Sequence, residues 1–118
     1  MSITIKRVYE KPERKEGLRI LVDRLWPRGL SKTEARIDVW LKEVAPSNEL
    51  RRWYQHDSRK WPEFKKRYSA ELDKNAESVN ELVSYIEAGD VVFLYSSREV
   101  QLNNAVALKE YLDLILGC

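Results

Sequence analysis

The stretch that most constrains the fold is DVVFLYSS, residues 90–97. Its unbroken apolar run from Val91 to Tyr95, rich in β-branched and aromatic side chains, reads as a strand buried on both faces rather than one that alternates between core and water. A strand of that kind needs a packed layer above and below it. The chain that carries it is therefore expected to be a layered α/β protein.

The other segments fit that expectation. ITIKRVY (3–9) and LRILVDRLW (18–26) read as strands, and IDVWL (37–41) as a third strand or extended segment. Too few residues separate the first two for a crossover helix, so an antiparallel hairpin is expected if they are neighbours. SNELRRWYQH (47–56) opens at Ser47, a good helix cap, after Pro46. In KWPEFKKRYSAELDKN (60–75), Trp61, Phe64, Tyr68 and Leu72 recur at helical spacing, with Pro62 tolerated in the first turn. AESVNELVSYIEAG (76–89) carries Val79, Leu82, Val83 and Ile86 on one stripe and stops at Gly89, read as the C′ position. QLNNAVALKEYLDLIL (101–116) is an apolar helix suited to covering a sheet. The reading is a small layered α/β domain over 1–118, with a mostly parallel or mixed sheet of three to four strands covered by helices.

At 118 residues and 43% hydrophobic content, one continuous core is expected. The net charge is only +2, but residues 1–59 hold 14 Lys/Arg against 9 Asp/Glu and residues 60–118 hold 7 against 10. The first half should therefore face an anion if either half does. No apolar run is long enough to span a bilayer and MSITIKRVYE lacks the apolar core of a signal peptide, so a cytoplasmic protein without a membrane partner is expected. The single cysteine, Cys118, excludes an intrachain disulfide. KPERKEG (11–17) is the one linker-like stretch.

LVDRLWPRG, residues 21–29, places three charges, a tryptophan, a proline and a glycine at the end of a core strand. Ligands of open α/β sheets collect outside the carboxyl ends of strands. If the second and last strands are parallel neighbours, Asp23, Arg24 and Arg28 face Ser96, Ser97 and Arg98 across one crevice. The three guanidinium groups suit phosphate or carboxylate, and a helix that begins just after Arg98 would add backbone N–H donors. Gly29 permits the turn, and Trp26 would line the pocket. Asp23 would orient an arginine or act as a base; the competing reading is an ion pair that only anchors the loop.

His56, the only histidine, is the candidate proton donor, with capping of the preceding helix as its structural alternative. Asp57 follows it directly, which is no argument for a dyad. Trp40, Trp53 and Trp61 read as core, Lys32 and Lys42 as solvated. No metal site is expected from one histidine and one terminal cysteine. G-x-G-x-x-G, G-x-x-x-x-G-K-[ST] and G-x-S-x-G are all absent.

LVDRLWPRGLSK, WLKEVAPS, WYQHDSRKWPEFKKRY and VVFLYSSREVQLNNAVALKEYL, in that order, resemble the YeaO-like family of small prokaryotic proteins, within a larger grouping labelled a domain of unknown function. The resemblance covers nearly the whole chain. It implies a compact α/β domain with a small, largely parallel sheet and no established activity. The positions it singles out are Asp23, Arg24, Trp26, Pro27, Arg28 and Gly29, then Lys42, Pro46 and Ser47. They continue with His56, Asp57, Trp61, Phe64 and Tyr68, and end with Asn103, Asn104 and Ala105. Asn104 joins the candidate ligand contacts on this ground. Many such relatives carry a histidine where this chain has Leu102, so no catalytic role is carried to that position. A methyltransferase label borne by some relatives implies a glycine-rich loop after the first strand; VYEKPERKEG has Gly17 alone, and no cofactor is expected.

The leading expectation is a protein, enzyme or not, that binds a small anionic or phosphorylated molecule at the strand ends. The alternatives are a nucleic-acid-binding module, for which +2 is a weak footprint, and a regulatory or interaction protein with no ligand. A homo-oligomer stays open.

Overall fold

The computed structural model describes residues 2–13 and 16–117. Cys118, and part of the linker-like stretch 11–17, lie outside the described residues. The strands are β1 (Ile3–Arg7), β2 (Leu18–Leu21), β3 (Val39–Trp40) and β4 (Val91–Tyr95). They form one sheet in the order β1-β4-β2-β3, and every pair is parallel. The helices are α1 (Lys32–Ala35), α2 (Asn48–Tyr54), α3 (Trp61–Asp73), α4 (Ala76–Ala88) and α5 (Asn104–Leu116).

The all-apolar β4 lies inside the sheet, between β1 and β2, with all five residues buried. Ile3 is opposite Val91 and Arg7 opposite Tyr95 on one side; Leu18 pairs with Val91 and Leu21 with Leu94 on the other. The hairpin expectation fails because its condition does. β4 occupies the place between β1 and β2, which run parallel to it, and no helix lies among the described residues that connect them.

That crossover is fastened by charge. Arg19, at 3% exposure, donates to the carbonyls of Ala35 and Arg36 and pairs with Glu16, which also pairs with Lys6. A buried guanidinium is tolerable only when satisfied in this way. Gly17 is needed for a different reason: a Cβ there would sit 2.0 Å from the carbonyl oxygen of Asp90. The close approach lets Leu18 N–H donate to that same carbonyl and set the register of β2 against β4.

Each face of the sheet has its own layer. Ile20, Val91 and Phe93 point into the larger core, with Phe64, Tyr68 and Leu108 among the helical side chains that meet them. Leu21, Val92 and Leu94 point the other way, toward Val8, Ala35 and Ile37. Helix α3 buries Phe64, Tyr68 and Leu72, the stripe its spacing predicts, and carries proline in its first turn. Ser47 caps α2 through a bond from Leu50 N–H and donates its own hydroxyl to Glu71 of α3.

Three local expectations are corrected. The second strand ends at Leu21, not Trp26, because the loop from Asp23 onward turns away from the sheet. Helix α4 stops at Gly89, but that glycine is extended (φ 163°), because the chain must run straight on into β4. Trp40 is 37% exposed, since β3 is an edge strand; Trp53 and Trp61 are partly buried against the main core. No helix among the described residues is long and apolar enough to cross a membrane.

Candidate functional site

Because β2 and β4 are parallel neighbours, their carboxyl ends open on the same edge, and the residues that follow them meet there. Asp23 is the centre of that meeting. One carboxylate oxygen accepts from the backbone N–H of Ser96 at 2.9 Å and from its hydroxyl at 2.8 Å. The other accepts from the Asn104 amide at 3.0 Å. The Asn104 amide nitrogen also donates to the Val22 carbonyl at 3.1 Å, and the Trp40 indole donates to the carbonyl of Asp23 at 2.7 Å. Asp23 thus ties three elements together through neutral donors, and no arginine pairs with it among the described residues. Asn104, with its amide protons spent on Val22 and Asp23, is a clamp on the loop rather than a free donor.

Arg24 and Arg28 belong to the same motif but go to different places. Arg24 turns inward and donates to the carbonyls of Pro46 at 3.2 Å and Ala45 at 3.1 Å. Arg28 is exposed; its carbonyl accepts from Tyr9, and its guanidinium has no partner among the described residues. Between them Trp26 donates to the Leu30 carbonyl at 2.7 Å and packs edge-on against Trp40 at 5.3 Å. Gly29, at φ 78°, supplies the left-handed turn; a side chain there would meet nothing, so backbone conformation and not space calls for glycine.

Two concavities result. A cavity of about 220 Å³ lies over Asp23 and is walled by Arg24, Pro46, Tyr54, His56 and Phe64. Beside it is an open hollow of about 700 Å³ where Arg7, Arg28 and Arg98 meet Tyr9 and Trp26, with no carboxylate in its lining among the described residues. Leu25 and Ser96 belong to both. Arg7 is the residue that sequence reasoning missed. It ends β1, and only the insertion of β4 beside β1 brings it here, where its Nε donates to the Ser97 carbonyl at 2.9 Å. The signal was a basic residue at a strand end, as informative in ITIKR as in the loop after β2.

The segment after Ser97 differs from expectation. Helix α5 begins at Asn104, capped by Asn103, whose side chain accepts from Val106 N–H at 3.0 Å. Before it the chain makes a loop in which Glu99 accepts from the N–H groups of Gln101 and Leu102. Those two bonds hold the Glu99 carboxyl below its ordinary range, with burial opposing and the His56 charge adding to them. Arg98 therefore does not lead directly into a helix. The Gln101 and Leu102 amides just ahead of α5 are already answered by the protein's own carboxylate.

His56 stands at the cavity rim, exposed, 5.7 Å from the ring of Tyr54. It and Gln55 both take left-handed backbone (φ 56° and 46°), a costly pair for residues with side chains. Asp57 then caps the next turn through Arg59 and ion-pairs with that arginine at 3.2 Å. His56 and Asp57 make no dyad. Beneath the site Tyr68 donates to the Val44 carbonyl, and burial pushes its hydroxyl well above the ordinary range, with the Asp23 charge adding to it. No group of three or more His, Cys, Asp or Glu among the described residues is arranged to hold a metal ion.

These features define a small α/β protein built on a single parallel sheet, with its polar and cationic groups gathered at the carboxyl edge. Over residues 2–116 the chain matches the family described as "Inactive DUF488-N3 subclade", and it belongs to that family. It is 38% identical over 112 residues to the uncharacterized protein YeaO of Escherichia coli K12, covering 95% of this chain and 97% of that one. It is also 38% identical over 111 residues to the uncharacterized proteins Rv3073c of Mycobacterium tuberculosis and Mb3100c of Mycobacterium bovis, covering 94% of this chain and 93% of each of theirs. No solved structure gives a significant match.

Proposed function

We propose that this chain binds a small anionic molecule at the carboxyl edge of its sheet and does not transform it. The observation that carries the reading is the hollow in which Arg7, Arg28 and Arg98 gather with no carboxylate in the lining among the described residues. Three like charges at one edge repel one another unless an anion sits among them, and guanidinium forks favour phosphate or carboxylate. Arg28 and Arg98 are the anion contacts, Arg7 adds charge while holding Ser97, and Trp26 forms a wall. Asp23, Ser96, Asn104 and Arg24 build the floor.

Two features favour binding over turnover. Asp23 already accepts three hydrogen bonds, which suits a fixed acceptor better than a mobile base. His56 has no carboxylate hydrogen-bonded to it among the described residues to orient it as a proton donor, and the family carries the description "inactive".

Isothermal titration with phosphate and with sulfate tests the reading. Both anions should bind, more weakly as salt rises. The double variant Arg28→Ala/Arg98→Ala should lose at least about tenfold in affinity, while its stability changes by no more than about 0.5 kcal/mol, as expected of exposed positions. Unchanged affinity in the variant, or no binding by the parent chain, would refute it.

A further inference from the structure

The cavity over Asp23 and the arginine hollow share two walls, Leu25 and Ser96, so one molecule can occupy both. Their chemistry differs in a way that fixes what each end of that molecule must be. The cavity, at about 220 Å³, is below the lower end of ordinary small-molecule sites, about 300 Å³. It is larger than the apolar cavity of about 150 Å³ known to hold a single benzene ring. Size therefore selects one six-membered ring, and the walls agree: Tyr54 and Phe64, stacked at 4.3 Å, stand beside Pro46 and Leu25.

Among the described residues, Asp23 is the only carboxylate in the cavity lining. A carboxylate can accept at about four lone-pair positions. Ser96 N–H, the Ser96 hydroxyl and the Asn104 amide take three of them, two on Oδ2 and one on Oδ1. One position, on Oδ1, is left over for a further N–H or O–H donor. Arg24, spent on two carbonyls, and the exposed Arg51 and His56 also line the cavity, so its charge is mixed and Asp23 disfavours an anion only at the inner end, whereas among the described residues the adjoining hollow presents only cationic, hydroxyl and apolar side chains.

We propose that the ligand is a phosphomonoester of a single aromatic ring, with a hydrogen-bond donor on the ring opposite the phosphate. The ring lies in the cavity, its donor on Asp23, and the phosphate reaches Arg28 and Arg98. This assignment rests on the hollow being an anion site and adds the identity of the inner half.

The test compares inorganic phosphate, phenyl phosphate and 4-hydroxyphenyl phosphate by isothermal titration against the intact chain. Phenyl phosphate should bind at least about tenfold tighter than inorganic phosphate through burial of its ring, and the 4-hydroxyl should add several-fold more. Asp23→Asn should remove the advantage of the hydroxyl and keep that of the ring. Should that variant fold poorly, the parent chain gives the same information by NMR: the side-chain amide of Asn104 should shift with 4-hydroxyphenyl phosphate and stay put with inorganic phosphate. If inorganic phosphate binds and the aryl phosphates bind no tighter, the assignment of the cavity is overturned while the anion site stands. If none binds, both fall.

Discussion

Asp23 and Arg28 stand five residues apart in one loop, and the two regions they serve use their polar groups in opposite ways. Around Asp23 the donors and acceptors answer one another: Ser96, Asn104 and Trp40 converge on this one residue, and the Arg24 guanidinium is spent on two carbonyls. In the arginine hollow, the guanidinium groups of Arg28 and Arg98 have no partner among the described residues. Charge at a strand end thus has two uses. Where donors and acceptors match, it fastens loops to the sheet; in the hollow one sign is left in excess, and the proposed anion would neutralise it.

The sharpest way to break this contrast is to remove the centre of the closed region. Asp23→Ala would leave two Ser96 donors and one Asn104 donor without their acceptor, at a cost of about 2–4 kcal/mol. Urea unfolding should record it, and a loss below about 0.5 kcal/mol would show that the floor is not a fastening. Next comes a comparison within the motif. Arg24→Ala should destabilise by about 1–3 kcal/mol, since it strands the Ala45 and Pro46 carbonyls in a partly buried site. Arg28→Ala should change stability by no more than about 0.5 kcal/mol. Equal effects in thermal melts would erase the distinction between the two arginines.

A smaller effect concerns pH. The Glu99 carboxyl is held below its ordinary value of 4.5 by the Gln101 and Leu102 amides. A carboxyl depressed on folding contributes stability above its unfolded pKa and loses it as pH falls through the lower folded value. The loop before α5 should therefore stay closed down to pH 4.5 and loosen below it, seen as a joint titration of those two amide resonances. A midpoint at or above the ordinary value would mean that the carboxylate is not held. Smallest of all is His56→Gln, expected to change stability by less than about 0.5 kcal/mol and phosphate affinity by less than about twofold. A large loss of binding would move the site from the hollow to the cavity rim.

What could be read from the sequence follows the range of the forces involved. Local patterns were legible: the doubly buried β4, the Phe64–Tyr68–Leu72 stripe and the Ser47 cap depend on neighbours within a few residues. The meeting of the loops after β2 and β4 was legible too, given one condition, that those strands be parallel neighbours. The insertion of β4 between β1 and β2 was not. Nothing local distinguishes a ten-residue crossover from a long hairpin, and Arg7 was missed with it. The partition of Arg24 from Arg28 was equally hidden. It depends on carbonyls at Ala45 and Pro46, some twenty residues away, and on the backbone turn at Gly29.

The central claim, that the hollow and not the floor receives an anion, is tested most directly by following arginine side-chain Nε–H resonances by NMR as phosphate is added. The account predicts that Arg28 and Arg98 shift together and saturate, while Arg24, clasped by its carbonyls, and Arg52, on the outside of α2, do not. A uniform drift of all the arginines, or a response centred on Arg24, would contradict it.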